Sequence, residues 1–157
     1  LGDVYKRQED YYLEHIVLCL SDGLLAQCGI DLDTHRGEIA SGNLSALRGC
    51  PFVLGSAEDI GGRIGRGLLR SSGVSPVSKA TSENVETLLA LCEQGVGACF
   101  CPENLLHTAL SPAQLAHLHI LPLCPEASYP ICFGYLSRSY PWSVLSEFIR
   151  IAREQAA

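Results

Sequence analysis

The residues of this chain with the most chemical potential are its cysteines, a His-x-His pair and a run of arginines. Cys19, Cys28, Cys50, Cys92, Cys99, Cys101, Cys124 and Cys132 make an even count, which invites a disulfide framework. Most of them lie inside apolar runs, such as Val17-Leu18-Cys19-Leu20 and Ala98-Cys99-Phe100-Cys101. There a thiol serves as a small hydrophobe. The first apolar run follows an acidic, Tyr-rich stretch and has no signal-peptide pattern. The expectation is therefore reduced thiols in a cytoplasmic core. Cys99 and Cys101 share a strand face and form a candidate redox pair. They lack charged sequence neighbours to lower a thiol pKa, which favours buried, inert cysteine. His117 and His119 also share a strand face, and Cys124 would complete a zinc set. Their spacing matches no standard zinc module, so no metal is expected.

Arg63, Arg66 and Arg70 fall on one side of a helical pattern and read as a solvated face. Gly61, Gly62, Gly65 and Gly67 imitate a phosphate loop but lie inside that pattern, without a Gly-Lys-Ser/Thr ending. A Gly-x-Ser-x-Gly elbow is also missing, and no catalytic constellation is legible. The chain is expected to be neither an enzyme nor dependent on a cofactor. Three strand ends run straight into helix starts: Gly55-Ser56-Ala57, Thr81-Ser82 ahead of Asn84, and Cys101-Pro102-Glu103. Helix starts carry unpaired N–H groups and partial positive charge, so several in one crevice would hold a carboxylate or phosphate. Ser56, Ala57, Thr81, Ser82, Cys101 and Pro102 are accordingly the candidate ligand-binding residues. Glu58 and Glu103 work against an anion unless they turn away.

The elements that must position these residues follow from periodicity. The stretch Glu14 to Leu20, with its run His-Ile-Val-Leu-Cys-Leu bounded by Ser21-Asp22-Gly23, reads as a buried strand. Residues 21–50 are rich in Gly, Asp and Ser, with a short helix near Leu44 to Leu47. Phe52 to Gly55 reads as a second strand. A helix over 58–71 follows, with Ile60, Ile64 and Leu68 on its apolar face, a Ser56/Asp59 start and an Asp59–Arg63 pair. Val77 to Thr81 is a third strand. Asn84 then caps a helix whose Val85, Leu88, Leu89 and Cys92 fall on one face, and Gly95 ends it. Strands over 96–101, 119–123 and 131–136, short helices at 103–109 and after Ser111-Pro112, and a closing helix from Pro141 complete the chain. The alternation of strand and helix argues for an α/β fold with a mostly parallel sheet flanked by helices. Ligands in such sheets bind at the carboxyl ends of strands.

The 157 residues allow one domain or two small lobes. Net charge is −6 and only Lys6 and Lys79 are lysines, so the chain lacks the basic clustering that holds nucleic acid. No apolar run reaches the ~18 residues of a membrane span. The opening Asp3 to Gln8 resembles the translation of a transposon-end adapter used in sequencing libraries, so residues 1–8 are expected to be a non-native scar.

The stretch from Ala80 to Glu103 carries Glu86, Leu88, Leu89, Ala90, Gly95, Gly97 and Pro102 in fixed order. It resembles the "S-x-E-x-L-L-A-L-V-A-A-G" helix and "G-I-A-L-L-P" strand of the LysR-type transcriptional regulators, in their effector-binding domain. His15 to Leu25, Gly49 to Gly73 and Ile131 to Ile151 agree with its flanks in order. Cys92, Cys99 and Cys101 replace aliphatic residues, and Asp22-Gly23-Leu24 replaces the usual "D-H-P-L".

The resemblance implies a two-lobed fold like that of type 2 periplasmic binding proteins. It divides the chain into a first-lobe remnant and crossing strand (9–20), a second lobe (21–130), and a returning strand and helix of an incomplete first lobe (131–157). A small-molecule effector, such as an organic acid or other anion, would bind between the lobes. It would control DNA binding by a helix-turn-helix that the chain does not contain, in a cytoplasmic homodimer or tetramer without membrane contact. Ser56 and Ala57 match the family's pocket loop. With a lobe incomplete, Leu145, Phe148 and Ile149 would be exposed and would bind a hydrophobic dye. The alternative is a solute-binding protein of a transporter, which shares the fold. A signal peptide would mark transport, and a helix-turn-helix regulation.

Overall fold

The computed structural model describes residues 6–136 and 143–156. The chain forms two compact units, residues 1–14 with 129–157 and residues 15–128. The elements in order are β1 (Lys6–Ser21), α1 (Asp22–Cys28), α2 (Leu32–Ala40), a 3-10 turn (Ser45–Leu47), β2 (Pro51–Gly55), α3 (Ile60–Ser71) and β3 (Val77–Ser82). There follow α4 (Val85–Glu93), β4 (Cys99–Pro102), α5 (Glu103–Ala109), α6 (Pro112–Leu115), β5 (Leu118–Pro122), β6 (Ser128–Leu136) and α7 (Ser143–Ala156).

In the 15–128 unit, β1 is the central strand. It runs antiparallel to β4, with Val17 opposite Cys101 and Cys19 opposite Cys99, and antiparallel to β5 on its other side, with Cys19 opposite Ile120. Both of its faces are buried, from Ile16 to Leu20. A strand covered on both sides reads as a continuous apolar run rather than an alternating one. Val17 and Cys19 meet Leu88, Leu89 and Cys92 of α4 and Leu106 of α5 in one core.

The expectation of a mostly parallel sheet needs correction within the α/β class. β1 is antiparallel to both β4 and β5, while β2 pairs in parallel with β3, in the register Leu54–Thr81 and Gly55–Ser82, and a parallel bridge joins Phe52 and Ala98.

A further correction concerns α3. Ile60 is exposed, and Ile64 and Leu68 are only half-buried; the buried face is Gly61, Gly62, Gly65 and Leu69. A Cβ on Gly62 would lie 2.2 Å from the Ser56 carbonyl oxygen, and one on Gly65 would lie 2.3 Å from the Phe100 ring. The helix therefore settles against the sheet on its bare backbone ridge, with Phe52 and Phe100 stacked at 6.0 Å beneath it. The start of α3 also differs from expectation. Asp59 is itself the N-cap and accepts from Gly62 N at 2.8 Å, so it forms no ion pair with Arg63 among the described residues.

Residues 22–40 hold two helices that the polar composition conceals. Ser21 caps α1, and Gly29 ends it in the left-handed conformation at φ 65°. Asp31 caps α2, which is anchored only by Leu32 and Ile39. Asn84 caps α4 through Thr87 N at 2.8 Å, and Gly95 stands at φ 75° beyond its end, as the sequence indicates.

In the other unit, Phe133 of β6 meets Tyr11 of β1 and Phe148 of α7 at ring separations of 4.8 and 5.8 Å. The Tyr135 hydroxyl donates to Glu9, and Arg153 pairs with Glu9 at 3.2 Å. Exposed apolar side chains on α7 are Val144, Phe148 and Ile151, whereas Ile149 is buried and Leu145 half-buried. The expected exposed trio is thus right for Phe148 and wrong for Ile149, which lies on the opposite side of the helix from Val144 and Ile151. The expected start at Pro141 lies outside the described residues.

Candidate effector-binding rim

β2 and β3 run parallel, and the Phe52–Ala98 bridge sets the chain into β4 parallel to them. Their carboxyl ends, Gly55, Ser82 and Pro102, therefore open on one edge of the 15–128 unit. Ile16 of β1 pairs with Pro102 at the same edge. This is where an open α/β sheet offers a crevice.

Ser56 and Ala57 form the turn after β2; Ser56 is half-buried and Ala57 exposed. The Ser56 hydroxyl oxygen accepts from the N–H groups of Glu58 and Asp59, at 3.2 and 3.3 Å. Thr81 is exposed and Ser82 half-buried at the end of β3. The Ser82 oxygen accepts from Asn84 N at 3.1 Å. The Ser56 oxygen thus accepts two backbone N–H groups and the Ser82 oxygen one, and each hydroxyl keeps its proton to donate. Register places the two turns side by side.

The third candidate pair divides. Pro102 stays at the rim, half-buried. Cys101 is fully buried, its sulfur 3.5 Å from that of Cys19, because strand alternation turns it to the same inner face as Cys99. The helix starts themselves are less available than the sequence suggests. Asp59 and Asn84 occupy Gly62 N and Thr87 N with their own side chains.

Arg66 is a contributor that the sequence reading left on a solvated face. Its guanidinium donates to the carbonyls of Gly55 and Gly62 at 2.7 and 3.3 Å, pinning the end of β2 to α3. Arg63 and Arg70 remain exposed. The signal available in sequence was the i,i+4 spacing of Gly62 and Arg66, too common to single out.

His117 and His119 converge, but on Asp22 rather than Cys124. His119 Nε2 lies 2.7 Å and His117 Nδ1 3.8 Å from the Asp22 carboxylate. The hydrogen bond from His119 holds the Asp22 carboxyl below its ordinary range. Among the described residues, no group of three or more His, Cys, Asp or Glu side chains is arranged to hold a metal ion.

Over residues 8–157 the sequence matches the family described as the LysR substrate binding domain. The chain belongs to this family. The LysR match favours regulation over the solute-binding reading. Solved structures agree on the fold. The CcmR regulatory domain of Synechocystis PCC6803, in complex with 2-PG, superimposes with a TM-score of 0.69 at 11% identity, covering 99% of this chain and 69% of that one. HinK, a LysR family transcriptional regulator from Pseudomonas aeruginosa, gives 0.69 at 17% identity, covering 100% and 50%. The effector binding domain of QuiR in complex with shikimate gives 0.64 at 12% identity, covering 96% and 65%. The LysR domain described here thus spans half the length of HinK. No curated protein sequence matches it. No helix among the described residues is long and apolar enough to cross a membrane.

Proposed function

We propose that this LysR domain senses a small hydroxy acid or related carboxylate through the rim of its 15–128 unit. Ser56, Ala57, Thr81, Ser82, Pro102 and the Cys101 backbone are the contacting groups. The observation that carries the reading is the pair of serine hydroxyls set side by side by the Gly55–Ser82 register, each accepting from backbone N–H and keeping a proton to donate. Two outward donors fit a ligand rich in acceptor oxygens. The acid bound by QuiR, shikimate, is of this class. Glu58 and Glu103 flank the turns, so the ligand is held through hydroxyl and backbone donors rather than by net positive charge. In the whole regulator the domain acts as a sensor and not a catalyst. It works in the cytoplasm in a dimer or tetramer, and a separate helix-turn-helix contacts DNA.

The test is calorimetric titration of the chain with a panel of small hydroxy acids that includes shikimate. One member should bind, and Ser56→Ala and Ser82→Ala should each weaken it by about 3- to 10-fold, the worth of one hydrogen bond of ~1 kcal/mol. Binding that both substitutions leave unchanged, or no binding by any acid, would refute the proposal.

A further inference from the structure

We propose that Cys28 and Cys50 form a dithiol site that hydroperoxides oxidise to a reversible disulfide. Their sulfurs lie 3.8 Å apart although 22 positions separate them in sequence. Cys28 is the last residue of α1 and is half-buried; Cys50 directly precedes β2 and is 2% exposed. The pair therefore has one sulfur that a small oxidant reaches and one held in reserve behind it. Bond formation needs the sulfurs to close by about 1.8 Å, to a length near 2.05 Å. The chain beyond Cys28 turns at once through Gly29, at φ 65° with nothing within 4 Å of its Cβ position, so the end of α1 has room to follow.

The chemistry balances with a hydroperoxide as the two-electron oxidant. The Cys28 sulfur attacks the terminal peroxide oxygen and the O–O bond breaks. The other oxygen leaves as an alcohol, or as water from hydrogen peroxide, and Cys28 becomes a sulfenic acid. The Cys50 sulfur then attacks the Cys28 sulfur, the S–O bond breaks, and hydroxide leaves with the Cys50 proton as water. A thiol reductant reverses the bond by exchange.

The order of attack follows from access. Burial, with a further contribution from the adjacent Cys28, pushes the Cys50 thiol up to about 12, so it stays protonated while Cys28 is reduced. The other thiols that lie close together, Cys19, Cys92, Cys99 and Cys101, with the Cys19 and Cys101 sulfurs 3.5 Å apart, are wholly buried in the core and offer an oxidant no path. Among the described residues Cys124 and Cys132 have no thiol neighbour; Cys132 donates to Asp10 instead.

The experiment treats the reduced, folded chain with hydrogen peroxide, then denatures and alkylates it, with peptide mapping under non-reducing conditions. The chain contains no Met, so oxygen adducts are not obscured by methionine sulfoxide. The expected result is loss of two of the eight alkylatable thiols, one bridge joining the Cys28 and Cys50 peptides, and full recovery with dithiothreitol. Cys50→Ser should instead leave a sulfenic acid on Cys28 that dimedone traps. Eight intact thiols after peroxide treatment would overturn the proposal. So would a bridge elsewhere, or an undiminished loss of two thiols in Cys28→Ser, whose half-buried position makes it the safer variant for folding.

Discussion

Gly62→Ala tests whether α3 sits on the sheet by its bare backbone. The added methyl would stand 2.2 Å from the Ser56 carbonyl oxygen and 3.1 Å from both carbonyl atoms of Gly55. The first distance is about 1 Å short of ordinary contact, and backbone atoms cannot rotate aside as a side chain tip would. Overpacking of this kind costs up to ~3 kcal/mol, and the better helix propensity of Ala returns ~1 kcal/mol, a net loss of about 2 kcal/mol. Gly67→Ala is the internal control, because nothing lies within 4 Å of its Cβ position on the same helix. It should gain the propensity term alone, up to ~1 kcal/mol. Urea denaturation followed by circular dichroism measures both through the transition midpoint. Thermal melting should separate them in opposite directions: Gly62→Ala down by about 4–8 °C and Gly67→Ala up by about 2–4 °C. A Gly62→Ala protein as stable as Gly67→Ala would show that the close approach of α3 is not real.

Arg66→Ala removes the charged donor from the Gly55 carbonyl; with the side chain only half-buried, denaturation should show a loss of about 1–2 kcal/mol. At Asp22, the folded-state carboxyl lies below its ordinary value of 3.8, so its stabilising contribution is complete above that value and is lost as pH falls through the lowered one. The melting difference between the parent chain and Asp22→Asn should therefore be present above the ordinary value of 3.8 and fade as pH falls below it; a difference constant across an acid titration would exclude the His119 clasp. Val144→Asp with Ile151→Glu should reduce binding of a hydrophobic dye, since both side chains are exposed on α7, whereas unchanged fluorescence would place the dye site elsewhere.

What was legible in the sequence is what neighbours in the chain encode. Asn84, the Val85–Cys92 stripe and Gly95 specify α4 by local hydrogen bonding and a 3.6-residue period, and the structure keeps all three roles. The run Ile16 to Leu20 announced a strand covered on both faces. The rim turns at Ser56 and Ser82 were placed because strand ends and helix starts adjoin in sequence.

Only the tertiary structure could decide the rest, because it depends on which backbones meet. The apolar stripe of α3 mispredicted its buried face, since periodicity counts side chains and Gly62 and Gly65 pack by having none. Cys101 reads as a rim residue until the register with β1 turns it inward against Cys19. Asp22 meets His119 across 97 positions, and Cys28 meets Cys50 across 22. Local propensity shapes each element in isolation. These longer pairings exist only once crossovers have stacked the elements, so no window along the chain contains them.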